Sequence, residues 1–328
     1  MDKRKKGFSL IILSFLIVSV VLTGVVKQAQ SQEKYPTRAI DLIIPFAPGG
    51  TTDLWARFVA DFLKKKWNVP VNAINKTGGG SVPANVEVYQ AAPDGYTMLA
   101  DCQASCSFLE VGIKDLPFKV MDRTFVATLA VAPSIFICSP KLPFKNLKDV
   151  EIDAKSDPAN FTWSSTGSAG ASDYCMRQFF KAIGVDVAKT KPVITRGMGE
   201  ANTLVAGGHI KLGTDASVSA LSSIQGGLVR PLGICLKTPE FYPNLATTAE
   251  QGYPTVDHVW WFGISGPPKL PPHILGRWEE ALQEMLKDSE FLSRMKKSPG
   301  MILYRNPSET REHVKKEMQQ AAALWGVK

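Results

Sequence analysis

From residue 39 onward, apolar residues follow two patterns. Short uninterrupted runs have the length of buried strands, and they occupy residues 39–45, 71–74, 96–100, 125–131, 134–139, 160–164, 192–195, 210–214, 230–236 and 260–266. Between many of them lie segments whose apolar residues recur every three or four positions, as in amphipathic helices; these are residues 52–67, 81–91, 171–183, 199–206, 271–287 and 307–325. Strands and helices therefore alternate in the order that favours a parallel α/β sheet.

Three of the loops that join a strand to a helix are rich in glycine, at residues 45–53, 77–81 and 165–170, and the first and third have a similar design, one in each half of the chain. Residues 45–53 read Pro-Phe-Ala-Pro-Gly-Gly-Thr-Thr-Asp, and residues 165–170 read Ser-Thr-Gly-Ser-Ala-Gly. Glycine lets the backbone approach a ligand closely, and the first N–H groups of the following helix lack intrahelical partners at the positive end of its dipole. Such a loop is suited to a carboxylate or a phosphate.

Helix capping is the alternative explanation of the first loop. Thr51 or Thr52 would cap the helix, and Asp53 would complement its dipole, with no ligand involved. The residues alone leave both explanations open. The loop lacks the Gly-Lys-Ser/Thr end of a P-loop and the three spaced glycines of a dinucleotide-binding fingerprint,.

The first 31 residues have the features of an export signal. Four basic residues at positions 3–6 precede an uncharged, mostly apolar run over residues 8–26, and Ala29 with Ser31 provides a small-x-small cleavage site,. We expect cleavage near Ser31 and a periplasmic location. No cysteine stands near the end of the apolar run, so a lipoprotein is not expected. The run is almost long enough to span a bilayer, which leaves an uncleaved anchor open.

Charge and cysteine content argue against several classes of protein. Removing residues 1–31 takes away five basic and one acidic residue, which reduces the net charge from +8 to +4. This excess is too small and too dispersed for a nucleic-acid-binding surface. The five cysteines are an odd number in a chain large enough to fold without disulfides, and only Cys102 and Cys106 are close enough in sequence to suggest a pair,.

The mature chain is longer than a domain with a single hydrophobic core usually is, and no long linker divides it,. We therefore expect two α/β lobes around a central ligand cleft. Lobe I would comprise residues 32–132 plus about 231–328, and lobe II about 133–230. The carboxyl ends of the strands would leave a crevice between the lobes, and the glycine loops would face it.

Enzymatic chemistry has little support in the sequence. The four histidines lack the short-spaced partners of a metal site,. Thr166 occupies the position where a Gly-x-Ser-x-Gly elbow around Ser168 needs its first glycine, so a serine hydrolase is a remote alternative,. We expect no catalytic residue, no metal and no cofactor.

Several motifs, in the same order along nearly the whole mature chain, resemble the periplasmic solute-binding proteins of tripartite tricarboxylate transporters, also called Bug-type receptors. They are residues 35–38 with Ile40, 45–53, 75–80, 92–97, 207–209, 227–232, 250–254 and 260–263. The resemblance implies a type II periplasmic-binding-protein fold whose two lobes close on a ligand, as in a Venus flytrap. The ligand would be a di- or tricarboxylate, an amino-dicarboxylate or an aromatic carboxylate, delivered by a monomeric receptor to membrane permease subunits without nucleic-acid partners.

The resemblance also implies which residues bind the ligand, because family members hold one carboxylate mainly with backbone amides and waters from two loops. The implied set is Phe46, Ala47, Pro48, Gly49, Gly50, Thr51, Thr52, Asp53, Cys102, Gln103, Thr166, Gly167, Ser168, Ala169, Gly170, Ala171, Tyr174, Thr214 and Asp215. Asp215 falls in a turn where the family often has an acidic or small residue lining the cleft.

The second loop departs from the family pattern. Gly-x-Gly-Ser followed by a His-Leu pair is usual, whereas this chain has Ser168-Ala169-Gly170-Ala171 and then Tyr174 with a cysteine. Tyr174 fits either a flatter, more apolar pocket or plain packing, so the identity of the carboxylate stays open. The same fold also serves ligand sensors that act on a signalling partner, and the sequence does not separate sensing from transport.

Overall fold

The computed structural model describes residues 34–167 and 170–327. The leader predicted over residues 1–31 lies outside this part of the chain, and so do Ser168 and Ala169 of the second glycine loop. From Arg38 onward the chain forms a single unit that contains every element named below. Within the described ranges, no helix combines the length and the apolar character that a membrane crossing requires.

Strands and helices alternate through most of the unit. The strands are β1 (Ile40–Ile44), β2 (Val71–Asn75), β3 (Thr97–Asp101), β4 (Thr124–Cys138), β5 (Thr162–Ser165), β6 (Lys191–Ile194), β7 (Gly213–Ala216), β8 (Arg230–Ile234), β9 (Val259–Gly266) and β10 (Met301–Arg305). The helices are α1 (Thr51–Trp67), α2 (Val82–Gln90), α3 (Ser107–Gly112), α4 (Leu147–Ser156), α5 (Ala171–Ile183), α6 (Met198–Gly207), α7 (Ser217–Gln225), α8 (Pro272–Met285), α9 (Ser289–Met295) and α10 (Pro307–Trp325).

The sheets are mixed, so the expectation of a parallel sheet is only partly correct. β1 pairs in parallel with β2 and β3, and β5 pairs in parallel with β6. The strands β7 to β10, in contrast, form antiparallel pairs with β4, and β9 also pairs antiparallel with β3. An apolar run indicates a buried strand but not its direction, because burial on both faces gives the same pattern in either orientation.

The long strand β4 joins two sets of partners. Residues 124–133 pair with β9, whereas residues 134–138 pair with β7 and β8. The runs predicted as separate strands at 125–131 and 134–139 are therefore one strand. Pro133 lies where the partners change, and proline has no backbone N–H to donate to a ladder.

Apolar side chains on both sides of β4 hold the neighbouring helices. Phe136 of β4 packs with Leu147 of α4 and Phe179 of α5 in one core, while Ile135 packs with Val205 of α6 in another. Full burial of a side chain of this size contributes roughly 1.5–3 kcal/mol. These contacts fix the ends of several helices near the carboxyl ends of the strands.

The sequence pattern does not predict α3, α4, α7, α9 or β10. The helix α7 has the sequence Ser-Val-Ser-Ala-Leu-Ser-Ser-Ile-Gln, in which serine weakens the helical signal,. It follows β7 directly, so the turn predicted at Asp215 is the end of a strand and the start of a helix. This geometry decides where the Asp215 carboxylate lies.

Candidate functional site

A cavity of about 400 Å³ lies where the loops after β1, β2, β5 and β6 meet. Each of these loops leads into a helix, directly or through a short 3₁₀ turn. Predicted ligand-binding residues in the wall are Phe46, Ala47, Pro48, Gly50, Thr51, Thr52, Thr166, Ala171 and Asp215. The remaining wall residues are Thr77, Gly78, Ala104, Arg196, Gly197, Met198, Gly199, Glu200, Ser219 and Trp260.

The loop after β1 brings the start of α1 to this cavity. Gly50 has an extended conformation (φ −76°, ψ 164°) and precedes Thr51, the first residue of α1. The first helical bond of α1 runs from Leu54 N to Gly50 O at 3.0 Å, so the N–H groups of Thr51, Thr52 and Asp53 precede the helical bonding pattern. No acceptor for these three N–H groups occurs among the described residues. They are available to an anion at the positive end of the helix dipole.

The hydroxyl of Thr51 is a further unsatisfied group in the wall. Its Oγ1 is buried and has no hydrogen-bond partner among the described residues. Leaving a buried hydroxyl without a partner costs about 1–3 kcal/mol. A ligand oxygen that accepts a hydrogen bond from Thr51 would remove this cost.

Asp53 was predicted to bind the ligand, but the structure places it behind the loop and not in the cavity wall. Its carboxylate accepts hydrogen bonds from Gly49 N (2.9 Å), Arg57 Nη2 (2.8 Å) and Asn75 Nδ2 (2.8 Å). Burial alone would raise the pKa of Asp53, but the bonds from Arg57, Gly49 and Asn75 outweigh it and lower the pKa. The ionised carboxylate therefore holds the first loop, including Gly49, which also lies outside the wall.

The second glycine loop is tied largely to itself. Gly167 N donates to Ser165 Oγ (3.0 Å), and Gly170 N donates to Gly167 O (2.8 Å). Thr166 N donates to Ser172 Oγ (3.3 Å). Thr166 and Ala171 reach the cavity wall, whereas Gly167 and Gly170 do not. This loop thus shapes the wall, and the start of α5 leaves the N–H groups of Ala171, Ser172 and Asp173 ahead of the helical bonding pattern, as at α1, since the first helical bond runs from Tyr174 N to Gly170 O,.

The sequence prediction missed Ala104, Ser219, Trp260 and two groups of neighbouring wall residues. Residues 196–200 follow β6 and begin α6, with Gly197 as the residue before the helix. Thr77 and Gly78 follow β2. In both segments a strand is followed by glycine and then by a helix. The sequence pattern that indicated the two predicted binding loops therefore occurs in these segments as well.

Asp215 lies in the wall between β7 and α7 with almost no surface accessible to solvent. Its Oδ1 accepts from Ala216 N (2.7 Å) and Ser219 Oγ (2.6 Å), and its Oδ2 accepts from Asn202 Nδ2 (2.8 Å). Burial raises the pKa of Asp215 to about 6, although these three hydrogen bonds act in the opposite direction. Thr214, predicted beside it, is buried away from the wall and donates to the backbone of α5.

Three other predicted residues do not reach the cavity wall. Cys102 is buried at the end of β3, where burial raises the pKa of its thiol to about 11. The amide of Gln103 donates no bond to the cavity; its Oε1 accepts from Trp261 N at 3.1 Å. Tyr174 stacks on Phe108 with ring centroids 4.6 Å apart, which corresponds to the packing alternative. Their neighbours Ala104 and Trp260 supply the wall instead.

The remaining chemistry of the described residues is sparse. Within residues 34–167 and 170–327, no group of three or more His, Cys, Asp or Glu side chains is arranged to hold a metal ion. All five cysteines are free, including Cys102 and Cys106. The cavity therefore offers unpaired N–H groups, one unpaired hydroxyl and a buried carboxylate as its recognition chemistry.

Comparison with known proteins gives a consistent result. The family model described as tripartite tricarboxylate transporter family receptor matches residues 55–325. The protein BugT of Bordetella pertussis is 26% identical over 309 residues, which cover 93% of each chain. A UPF0065 protein of Agrobacterium vitis is 27% identical over 294 residues, which cover 89% of this chain and 84% of the relative.

Solved structures share the fold. The structure of a periplasmic transporter has 27% identity and a TM-score of 0.81, and covers 88% of this chain and 96% of its own. The periplasmic binding protein BugD has 25% identity and a TM-score of 0.81, with 89% and 98% covered. MatC from Rhodopseudomonas palustris, solved with bound malate, has a TM-score of 0.82 and 24% identity, and the match covers 88% of this chain and 99% of MatC. At this identity the match shows a shared fold alone. These likenesses confirm the predicted α/β fold of the periplasmic-binding-protein type.

Proposed function

Because this chain belongs to the tripartite tricarboxylate transporter receptor family, we propose that it binds a small organic carboxylate in the cavity and delivers it to membrane permease subunits. The observation that carries the proposal is the start of α1, where Thr51, Thr52 and Asp53 have N–H groups without acceptors in the described residues. Hydrogen bonds from such groups to a charged oxygen are shorter and stronger than bonds between neutral groups. The role is binding without chemistry, as in other receptors of the family.

The dipoles of several helices favour the same charge in the cavity. The first residues of α1, α5 and α6, which are Thr51, Ala171 and Met198, all belong to the wall, so the positive ends of three helices lie at one cavity. Each such end interacts with an anion by typically 0.3–1 kcal/mol near a surface and by more where water is excluded. Apolar contacts from Phe46 and Trp260 would cover the body of the ligand.

Capture would proceed by closure of two lobes that share β4. We assign residues 32–132 and about 231–328 to lobe I and residues 133–230 to lobe II, with one adjustment. β8 pairs with residues 135–138 of β4, beside β7, which supports placing the second crossing after Ile234 and not at Pro231. Closure would exclude water from the N–H groups that hold the carboxylate.

We place the protein in the periplasm after removal of residues 1–31, as a monomer that docks on the permease when ligand is bound. The first loop would grip the carboxylate that all ligands of this class share. The identity of the ligand would then depend on the rest of the wall, where the charged side chains are Arg196, Glu200 and Asp215 and where Ser219 adds a hydroxyl.

The proposal is tested by screening ligands against the mature protein in a thermal-shift assay. Mono-, di- and tricarboxylates are compared, including amino and aromatic acids, with malate and adipate because they are bound in proteins of the same fold. A bound ligand raises the melting temperature according to its concentration relative to its Kd, and calorimetry then gives the Kd. Stabilisation by neutral sugars or nucleotides with none by any acid would contradict a carboxylate receptor.

A further inference from the structure

Asp215 is a buried carboxylate without a cationic partner in the described part of the chain. Its hydrogen bonds come from three neutral donors, Ala216 N, Ser219 Oγ and Asn202 Nδ2. A carboxylate of this kind is costly to bury when it is ionised, because neutral donors offset only part of the lost hydration. Its position in a wall that is open to anions therefore requires an explanation.

Asp101 is a second buried carboxylate with similar hydrogen bonds, and it has a cationic partner. Its Oδ1 accepts from the next backbone N–H, Cys102 N (3.0 Å), and from the serine four residues later, Ser105 Oγ (2.7 Å), as Asp215 does. Burial raises the pKa of both carboxyl groups, but only at Asp101 does a cation oppose it, since Arg123 lies 3.1 Å away. Asp101 is not part of the wall, whereas Asp215 is. The buried carboxylate that lacks a cationic partner is thus the one at the cavity.

Ser219 determines which groups can bind in front of Asp215. Ser219 is partly exposed and lies in the wall, and its hydroxyl donates to Asp215 Oδ1 at 2.6 Å, with Ala216 O a more distant acceptor at 3.2 Å. A hydroxyl that donates its single hydrogen to a carboxylate presents only lone pairs elsewhere. This part of the wall therefore accepts hydrogen bonds and repels a second carboxylate.

The charges of the wall favour a cation in the same place. Its charged residues are Arg196, Glu200 and Asp215. Arg196 and Glu200 form an ion pair at 3.2 Å, which leaves the negative charge of Asp215 unbalanced. A ligand with a carboxylate at the start of α1 and a positive group at Ser219 would balance both ends.

We propose that the ligand is an amino carboxylate whose carboxylate binds at the start of α1 and whose ammonium group binds at Ser219 in front of Asp215. This assignment rests on the proposed function and narrows it to one ligand class. An ammonium group donates to Ser219 Oγ and brings the charge that Arg123 supplies at Asp101. A hydroxy carboxylate donates without the charge, and an unsubstituted acid does neither.

The test compares acids that differ only in the group at the α-carbon. The mature protein is titrated by calorimetry with alanine and propionate, aspartate and succinate, glutamate and glutarate, and phenylalanine and 3-phenylpropionate, with malate as the hydroxy relative of aspartate. In the pair that binds, the amino acid should bind at least about tenfold more tightly than the unsubstituted acid. Equal affinity, or tighter binding of the unsubstituted acid, overturns the amino-carboxylate assignment and leaves a carboxylate receptor. If no acid in this set binds, the amino-carboxylate assignment is overturned, whereas the proposed function is contradicted only if the wider thermal-shift screen also finds no acid that binds.

Asp215→Asn separates recognition from a structural role. Asn202 Oδ1 is buried without a partner, so rotation of the Asn202 amide lets it accept from the new amide group. The variant should lose about tenfold or more in affinity for the amino acid, and keep or improve its affinity for the unsubstituted acid. Equal losses for both ligands would mean that Asp215 only supports the fold, and would overturn its assignment.

Two further variants complete the test. Ser219→Ala removes the acceptor with little change in the packing, and should reduce the preference for the amino acid even if Asp215→Asn does not fold. Asp153→Asn changes the net charge equally but removes an ion pair with Lys211 outside the wall. An unchanged preference in Ser219→Ala, or an equal loss of preference in Asp153→Asn, would contradict binding of the ammonium group at this wall.

Discussion

The two glycine loops begin their helices with the same arrangement of residues. In the first, Gly50 precedes α1, Asp53 is the third helical residue and Arg57 follows four positions later; in the second, Gly170 precedes α5, with Asp173 and Arg177 at the same spacing. Each aspartate forms an ion pair with the arginine four residues further on. Each aspartate also receives bonds from outside its helix, from Asn75 and Gly49 at Asp53 and from Trp325 and Ser165 at Asp173.

The two loops differ in why glycine precedes the helix, at Gly50 in the first and at Gly170 in the second. A Cβ at Gly50 would meet only the Ala47 carbonyl oxygen at 3.7 Å, an ordinary contact, whereas a Cβ at Gly170 would lie 2.2 Å from Thr166 Oγ1 and 3.0 Å from Gly167 O. The protein therefore tolerates a side chain at Gly50 but not at Gly170. Glycine at position 50 keeps the cavity open, and glycine at position 170 lets the loop close on itself. Similar sequence patterns thus leave space in front of one loop, where we propose that the ligand binds, and meet a requirement of the fold in the other.

Gly50→Val should have the largest effect on binding. Its backbone angles are in the extended region, which valine readily adopts,, so the fold should persist. The side chain would occupy the cavity in front of the Thr51 and Thr52 N–H groups, and we expect a loss of about 100-fold or more in affinity by calorimetry. Binding equal to that of the wild type would exclude the first loop as the anion site.

A matched control for this variant is Gly276→Val. Gly276 lies on an exposed part of α8, and a Cβ there meets no atom within 4 Å. Its ligand affinity should equal that of the wild type. Melting temperatures without ligand should be similar for both variants, which separates a blocked site from a damaged fold.

Gly170→Ala should act on stability. The added methyl group must displace Thr166 Oγ1 and press on Gly167 O, and overpacking of this kind costs about 1–3 kcal/mol. Urea unfolding without ligand should show this loss. Gly50→Ala is the comparison and should unfold close to the wild type. If the two variants lose equal stability, the difference between the loops is not real.

Asp53→Asn should weaken the ion pair that holds the first loop. Arg57 is half exposed, with 45% of its side chain accessible, so we expect a loss of about 1–2 kcal/mol, below that of a fully buried pair. The pKa of Asp53 is lowered in the folded protein relative to 3.8. Its contribution to stability is therefore complete above pH 3.8 and is lost as the pH falls through the lower folded value.

Urea unfolding of wild type and Asp53→Asn at several pH values checks this sign. The difference in unfolding free energy between the wild type and Asp53→Asn should be constant between pH 7 and pH 5, and it should shrink as the solution is acidified further. A gap that widens on acidification would mean that the carboxyl group is protonated in the fold. It would then not hold Gly49 as an ionised acceptor.

The sequence was sufficient to predict elements whose periodicity is long and uninterrupted. The bounds of α5 and α10 agree with the prediction because an apolar stripe and clear end signals coincide there, a glycine after α5 and a proline at the start of α10,. The direction of β4 and β9 was not predictable, because burial on both faces gives the same apolar run in parallel and antiparallel strands,. The resemblance to the receptor family supplied the fold that periodicity left undecided.

The candidate site was predictable as a set of loops but not as a set of contacts. A glycine loop shows where a backbone can approach a ligand, yet its sequence does not show which N–H groups the loop bonds itself, as it does with Gly167 N and Gly170 N. Asp53 and Asp215 illustrate the limit. Both are aspartates beside a helix start, but only the fold shows that Asp53 has a cation and that Asp215 lacks one. Pairing between residues far apart in sequence decides which carboxylate supports a loop and which faces a ligand.

Thr51→Val gives the smallest of the expected effects and makes the sharpest distinction between the loops. It removes the buried hydroxyl that has no partner, so the ligand-free protein should be as stable as the wild type or more stable, by up to about 1 kcal/mol. Affinity should fall about tenfold, because the ligand loses one hydrogen bond to a charged oxygen. Thr238→Val is the control, since Thr238 has an equally buried and unpartnered hydroxyl outside the wall. Both variants should therefore keep their stability while only Thr51→Val loses affinity, because the fold needs neither hydroxyl and only the first loop keeps one for the ligand.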